Sequence, residues 1–463
     1  MLIHWFRRDF RLRDNPALHA AHTDGNGRVI PVYILSDWQG SHRWSGPARQ
    51  ATLCGALRSL NGQLESLGTR LVLRRGDVLP ELERLLRETN AEALYFNRSP
   101  DPAGRALEQR VEAMARTCGV RVRGFHEVTV FEPDRVLTKT GHPFRVFTPF
   151  SRAWLQREPP APLPPLKPFA PAPIPLPSLP LPTLADWGLG SAPAILEPGE
   201  PAAHRRMETF LGDPVFHYAG ERDLPALDAT SHLSADLRWG TLSPRLLVQR
   251  TRDALAHAGT AARREGARKF LGELIWREFY MAVLWHWPDV LDWEFQPRFR
   301  GLKWDAPGTA FQRWCEGTTG FPLVDAGMRQ LAATGWMHNR VRMVVSMFLT
   351  KDLHMDWRHG EAFFMRSLAD GEIASNNGGW QWSAGVGADA APYFRIQNPW
   401  TQTARYDPDG SYIKRWVPEL ADVPPGLLTK APSSALAPGY PLPMVDHARE
   451  REITLDRFAA LAR

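Results

Sequence analysis

Cysteine is scarce: 463 residues hold three, Cys54, Cys118 and Cys315, widely spaced and without a CxxC pair or metal-ligand pattern. That excludes a disulfide framework, points to a reducing compartment, and offers no metal site. No stretch is apolar for long enough to cross a membrane, and "MLIHWFRRDFRLRDN" becomes charged too early for a signal peptide. The sequence therefore predicts a cytoplasmic protein with no membrane partner. A GxGxxG run is missing after the first apolar segment, which argues against an ordinary dinucleotide site. Excess charge is modest, +6 over the whole chain, and suits either a polyanion partner or simple solubility. Tryptophan, by contrast, is plentiful, with 18 residues clustered in the second half, and hydrophobic residues make up 43% of the chain. Most of the indoles must pack a core; some are free to stack or carry electrons.

Two kinds of periodicity divide the chain. "LIHWF" (2–6), "VIPVYIL" (29–35), "RLVLR" (70–74), "ALYF" (93–96) and "VRVRGF" (120–125) read as strands. Helical spacing over 48–67, 79–88 and 103–117 separates them. Alternation of this kind predicts a doubly wound parallel sheet in an α/β domain over 1–130. The segment 131–199 is an interdomain linker, with proline at about every second position from Pro159 to Pro182. From 200 to 463 helical patterns dominate, such as Ala262 to Trp287 and Pro322 to Lys351, and predict an all-α domain.

Four constellations lie in that second half. Tyr218, Arg222, Thr230, Ser231 and Ser234 offer hydroxyls and a guanidinium before a helix, which suits a phosphate or merely an N-cap. Glu273, Trp276, Arg277 and Tyr280 share one helical face, either as a polar pocket with a stacking wall or as an i,i+4 ion pair beside a packing indole. Asn339, Arg342 and Met343 fall at i, i+3 and i+4. The stretch "LADGEIASNNGGWQWSAG" (368–385) reads as a helix ending with left-handed Asn and Gly, or as a close-approach rim around a flat aromatic ligand.

Taken in order, "WFRRDFRLRDNPAL", "GHPFRVFTPFSRAW", "ELIWREFY", "TGFPLVDAGMRQL", "TGWMHNRVRM", "FLTKDL", "IASNNGGWQW" and "YIKRWVPEL" resemble the DNA photolyase and cryptochrome family, most closely its class I cyclobutane pyrimidine dimer photolyases. The resemblance runs from the first strand to beyond residue 440. It implies a Rossmann-like domain, a helical FAD-binding domain, and light-driven repair of UV-damaged DNA by a monomer. It places Tyr218, Thr230, Ser231, Leu233 and Ser234 around the FAD phosphates and ribityl chain, Asn339 at the reactive ring nitrogen, and Arg342 and Asp370 beside it. Asn376 and Glu372 belong to the rim; many relatives carry Asp where this chain has Glu372. Trp276 and Trp382 would pack the flipped bases, with Glu273 bonded to the dimer and Met343 and Asn339 completing the pocket. Arg222, Arg277, Arg340 and Arg395 are implied DNA contacts, and Trp380, Trp357 and Trp304 an electron-carrying chain. A second, antenna chromophore of folate or deazaflavin type is compatible with the family, although "NRSPDPAGRALEQ" lacks the Asn-Glu pair of one folate mode. The alternatives within the resemblance are a cryptochrome-type sensor and a (6-4) photolyase. Asn339 and the short segment after the shared motifs speak against the first, and the lack of a pocket histidine pair against the second.

Overall fold

The computed structural model describes residues 1–36, 42, 44–170 and 176–461. They form two compact units, Met1–His217 with Ser231–Pro288, and Tyr218–Thr230 with Asp289–Arg463.

In the first unit β1 (Leu2–Trp5), β2 (Val29–Leu35), β3 (Val72–Arg75), β4 (Ala93–Asn97) and β5 (Arg121–Phe125) make one parallel sheet in the order β3-β2-β1-β4-β5. Every residue of β1, β2 and β4 is buried, as continuous apolar runs covered by helices on both faces must be. Between the strands run α1 (Pro16–Asp24), α2 (Pro47–Ser66), α3 (Val78–Thr89) and α4 (Pro102–Thr117). Their starts are set locally: Asn15 accepts from the Leu18 amide and Asp101 from the Gly104 amide, each with proline next in sequence. At the β1/β4 switch point, where such sheets ordinarily take a nucleotide, Asn97 Nδ2 donates to Asp9 Oδ2 at 2.6 Å and to Asn15 Oδ1 at 2.7 Å.

The proline-rich stretch is extended where described, and residues 171–175 lie outside the described ones. It is strapped along the sheet domain: Phe169 donates its amide to Leu67, Ala170 to Gly27 and Leu179 to Leu73. Before it comes α5 (Phe147–Leu155), and beyond it α6 (Glu200–Gly212), α7 (Ser234–Trp239), α8 (Pro244–Ala256) and α9 (Ala261–His286). The compact unit does not stop at residue 200, because Glu200 accepts from the Leu12 and Arg13 amides and Arg245 pairs with Asp14.

Glu278 on α9 shows how firmly these pieces are joined. Its carboxylate accepts from the Val130 amide at 2.5 Å and from Trp154 Nε1 on α5 at 2.7 Å. Burial pushes its pKa from the ordinary 4.5 up to about 7 against those two hydrogen bonds. The folded state then holds the proton more tightly than the unfolded chain, so stability is lost as pH rises from about 4.5 to 7. Glu278→Gln should flatten this part of the pH profile, by on the order of 3 kcal/mol between its ends. Urea unfolding of both proteins across that range checks it; parallel profiles would show that Glu278 does not titrate there.

The second unit is helical. The spacing that predicts one helix over Pro322–Lys351 resolves into α10 (Pro322–Thr334), α11 (Asn339–Met347) and a π-helical turn at Phe348–Asp352. Gly335, at φ +64°, ends α10, and His338 Nδ1 restarts the chain by accepting from the Arg340 amide. Next come α12 (Trp357–Ser367), α13 (Ile373–Ala384) and, last, α14 (His447–Ala460). The reading of 368–385 as a helix ending is corrected: Asn376, Asn377 and Gly379 lie inside α13, and only Gly385, at φ +83°, is left-handed. Helix α13 starts where Glu372 accepts from the Ser375 amide at 2.9 Å, so this carboxylate serves as an N-cap.

Candidate active site

In the second unit α11 and α13 meet through Ser346 Oγ and Ser383 Oγ, 2.8 Å apart. Two small hydroxyl residues at the crossing let the backbones approach. On α11, Asn339 is exposed at the first helical position, and Arg342 and Met343 are half-buried one turn later on the same face. Arg342 Nη2 lies 2.8 Å from Asp370 Oδ2 while its Nε donates to the Met337 carbonyl. Asp370 is 6% exposed, and its other oxygen, Oδ1, is buried with no hydrogen-bond partner among the described residues. Leaving a buried carboxylate oxygen unbonded costs roughly 1–3 kcal/mol, which makes Asp370 Oδ1 an acceptor held ready for a donor brought by a ligand. On α13, a methyl group built onto Gly379 would meet no heavy atom within 4 Å. An orphaned acceptor and an uncrowded helix face fit the edge of a flat heterocycle with ring N–H groups, as a flavin has.

Asn376 turns its amide inward, donating to the Glu361 carbonyl on α12. In the same unit Tyr218 is buried, the Arg222 guanidinium lies 5.2 Å from its ring centre, and Thr230 is half-buried. Arg340 pairs with Asp223 at 2.8 Å and lies 4.6 Å above the Tyr406 ring; Arg395 is exposed. Trp382 is half-buried near the end of α13.

The three tryptophans nominated as a chain all belong to this unit. Trp380 is 2% exposed and Trp357 fully buried, whereas Trp304 is partly exposed. Trp380 lies on Gly360 of α12, where an added Cβ would come within 2.1 Å of the indole. Glycine is thus required for α12 and α13 to close on the ring. Trp357 opens α12, donates to Glu294 at 3.2 Å and carries the Arg358 guanidinium 4.5 Å from its ring. Asp305, next to Trp304, donates its amide to the His354 carbonyl and so brings Trp304 towards the start of α12.

The first unit carries the remaining residues. Ser231 accepts from the Leu233 amide, Leu233 is the N-cap of α7, and Ser234 is its exposed first residue. Glu273 and Trp276 are half-buried on α9. Arg277, on the next position, donates to the carbonyls of Val128 at 2.7 Å and Leu237 at 3.1 Å, and so ties α9 to two other segments of its unit. Residues of "NRSPDPAGRALEQ" line a cleft of about 350 Å³ together with Gly124, His126, Glu132, Asp134 and Trp285.

Sequence reasoning missed the polar ladder behind α13. Asn377 donates to the Val290 carbonyl and to Glu361, and Gln381 donates to Val290 while accepting from the Phe295 amide. The i,i+4 spacing of Asn377 and Gln381 was the only available signal. No helix among the described residues is long and apolar enough to span a membrane.

The chain is similar to known proteins along nearly its whole length. Residues 2–169 match the family model for DNA photolyase, and 270–460 that for the FAD binding domain of DNA photolyase. A deoxyribodipyrimidine photo-lyase of Agrobacterium fabrum is 40% identical, with 99% of this chain and 98% of that protein covered. The structure of a bacterial class III photolyase from Agrobacterium tumefaciens superposes with a TM-score of 0.91 at 40% identity, covering 100% of this chain and 97% of that one. The fold also matches a Synechocystis cryptochrome, with a TM-score of 0.89 at 26% identity and 98% of each chain covered. With a sheet domain and a helical FAD-binding domain in that order, and with identity sustained from end to end, the chain belongs to the DNA photolyase family.

Proposed function

We propose that the protein is a deoxyribodipyrimidine photo-lyase, a light-dependent enzyme that splits cyclobutane pyrimidine dimers in UV-damaged DNA, working as a cytoplasmic monomer. The observation that carries the reading is the buried Arg342–Asp370 pair with its unbonded Asp370 Oδ1, set in a chain 40% identical to a protein of that name. FAD in its reduced form supplies, on absorbing blue light, the electron that opens the cyclobutane ring and recovers it afterwards.

The residues divide the remaining work. Asp370 accepts a hydrogen bond from the flavin edge, and Arg342, bonded to its other oxygen, fixes its orientation. Asn339 offers either an amide N–H or a carbonyl beside the reactive ring nitrogen, so it can match either protonation state. Tyr218, Thr230, Ser231, Leu233 and Ser234 hold the phosphates and ribityl chain, with Asn376 and the Glu372-capped start of α13 at the rim. Trp276, Trp382 and Met343 exclude water around the flipped dimer, which is cheaper to extrude than a stacked normal pair. Glu273 hydrogen-bonds the dimer as charge develops on it. Arg222, Arg340 and Arg395 contact phosphates; Arg277, which also donates to two carbonyls, lies on α9 with Glu273 and Trp276 on the dimer-binding side. The 350 Å³ cleft is the candidate seat of an antenna chromophore.

The test is repair of a dimer-containing oligonucleotide under blue light against a dark control. Glu273→Ala should retain FAD yet lower the quantum yield severalfold, because the charge developing on the dimer loses one preorganised hydrogen-bond partner. Absent repair by the FAD-loaded wild type would favour the cryptochrome reading, and equal repair in the dark would overturn light-driven chemistry; an unchanged yield would remove Glu273 from the mechanism.

A further inference from the structure

"GHPFRVFTPFSRAW" is a conspicuous motif whose side chains have no part in the function proposed above. Its Phe147 opens α5, and its ring lies flat against the Trp276 indole, with centroids 3.6 Å apart and planes 5° from parallel. Aromatic pairs left to themselves favour offset or edge-on contacts at 4.5–7 Å, so a near face-to-face stack at this distance needs outside support. That support is present. Phe279 presents its edge to both rings, at 5.9 Å to Phe147 and 5.6 Å to Trp276. Phe150, one turn along α5, packs on Phe279 at 5.4 Å, and Trp154, a further turn on, is hydrogen-bonded to the buried Glu278 of α9. Helix α5 is thereby bolted to α9 on the side that carries Phe147.

We infer that Phe147 is a positioning residue for lesion recognition: it clamps one face of the half-buried Trp276 indole and so fixes the plane that the other face offers to a flipped pyrimidine. The inference rests on the repair reading of Trp276. Its physical basis is preorganisation: an indole already held in one rotamer loses little freedom when a base stacks on it, whereas an unclamped one must be ordered on binding.

Binding of dimer-containing and undamaged oligonucleotides is measured in the dark with the FAD-loaded protein, for wild type, Phe147→Ala, Phe147→Leu, Phe147→Tyr, Trp276→Ala and the Phe147→Ala/Trp276→Ala double variant. Phe147→Ala and Phe147→Leu should each weaken dimer binding about threefold to tenfold, the equivalent of re-ordering one side chain, while affinity for undamaged DNA holds. Phe147→Tyr, which keeps the plane, should bind as wild type. In the double variant the loss should be no larger than in Trp276→Ala alone. Additive losses, or equal weakening on both DNAs, would reduce Phe147 to packing. Tighter dimer binding by Phe147→Ala would show that it plugs the site, and overturn the inference. Failure of the reading beneath it looks different: Trp276→Ala would then leave dimer affinity unchanged. If Phe147→Ala does not fold, Phe147→Leu, which retains apolar bulk, decides.

Discussion

Trp380→Phe should nearly abolish light-driven reduction of oxidised FAD in the presence of an external thiol, while the chemically reduced variant still repairs dimers. Indole has a larger and more readily oxidised π-system than benzene, so a phenyl ring in the same place ends the relay although most of the buried area remains. The surroundings favour a clean substitution. Trp380 is 2% exposed, meets Phe364 edge-on at 5.0 Å, and lies on Gly360, so a smaller ring creates a modest cavity and no clash. Trp357 and Trp304 extend the proposed relay, and Trp304, partly exposed, is its outer end. The check is the flavin absorbance under illumination with thiol, followed by a repair assay after dithionite reduction. Normal photoreduction would show that electrons enter by another route. Loss of repair in the reduced variant, with FAD still bound, would show that the two electron paths are not separate.

The second large effect is expected at Asp370. In Asp370→Ala the Arg342 guanidinium loses its partner at 2.8 Å and the ligand loses its acceptor at once. Removing one member of a buried pair costs about 3–5 kcal/mol, and the lower end applies because the Arg342 side chain is 25% exposed. The variant should therefore purify with little or no FAD and unfold at lower temperature. Asp370→Asn, which keeps the shape and one acceptor oxygen, should retain more FAD than Asp370→Ala. Flavin absorbance per protein after dialysis, with thermal unfolding alongside, separates ligand loss from destabilisation. Full FAD content in Asp370→Ala would remove the carboxylate from the cofactor site.

Local patterning reached the sheet well. The run "VIPVYIL" coincides with β2, and the helices over 48–67, 79–88 and 103–117 lie within a residue or so of α2, α3 and α4. Strands buried on both faces and helices amphipathic on one face carry their period in their own residues. Elsewhere the pattern misled. Pro322–Lys351 keeps apolar spacing across a real break, because Gly335 and His338 end one helix and begin another without disturbing the count of buried faces. The Asn and Gly residues of 376–379 looked like a helix end, yet they sit inside α13, where neighbouring helices and buried amide bonds outweigh their weak helical preference.

The sequence by itself determined the family, the parallel sheet and the helical second half, because those rest on local periodicity and on motifs read in order. Only the tertiary structure decided what each side chain is engaged with. Arg277 donates to two carbonyls, Glu372 caps a helix, Gly360 seats Trp380, and Phe147, an unassigned motif residue, stacks on Trp276. Each of those outcomes depends on a partner up to 149 positions away in the chain, and no spacing rule reaches that far. Which helix a side chain meets is set by the packing of whole elements, and it becomes legible only once they are packed.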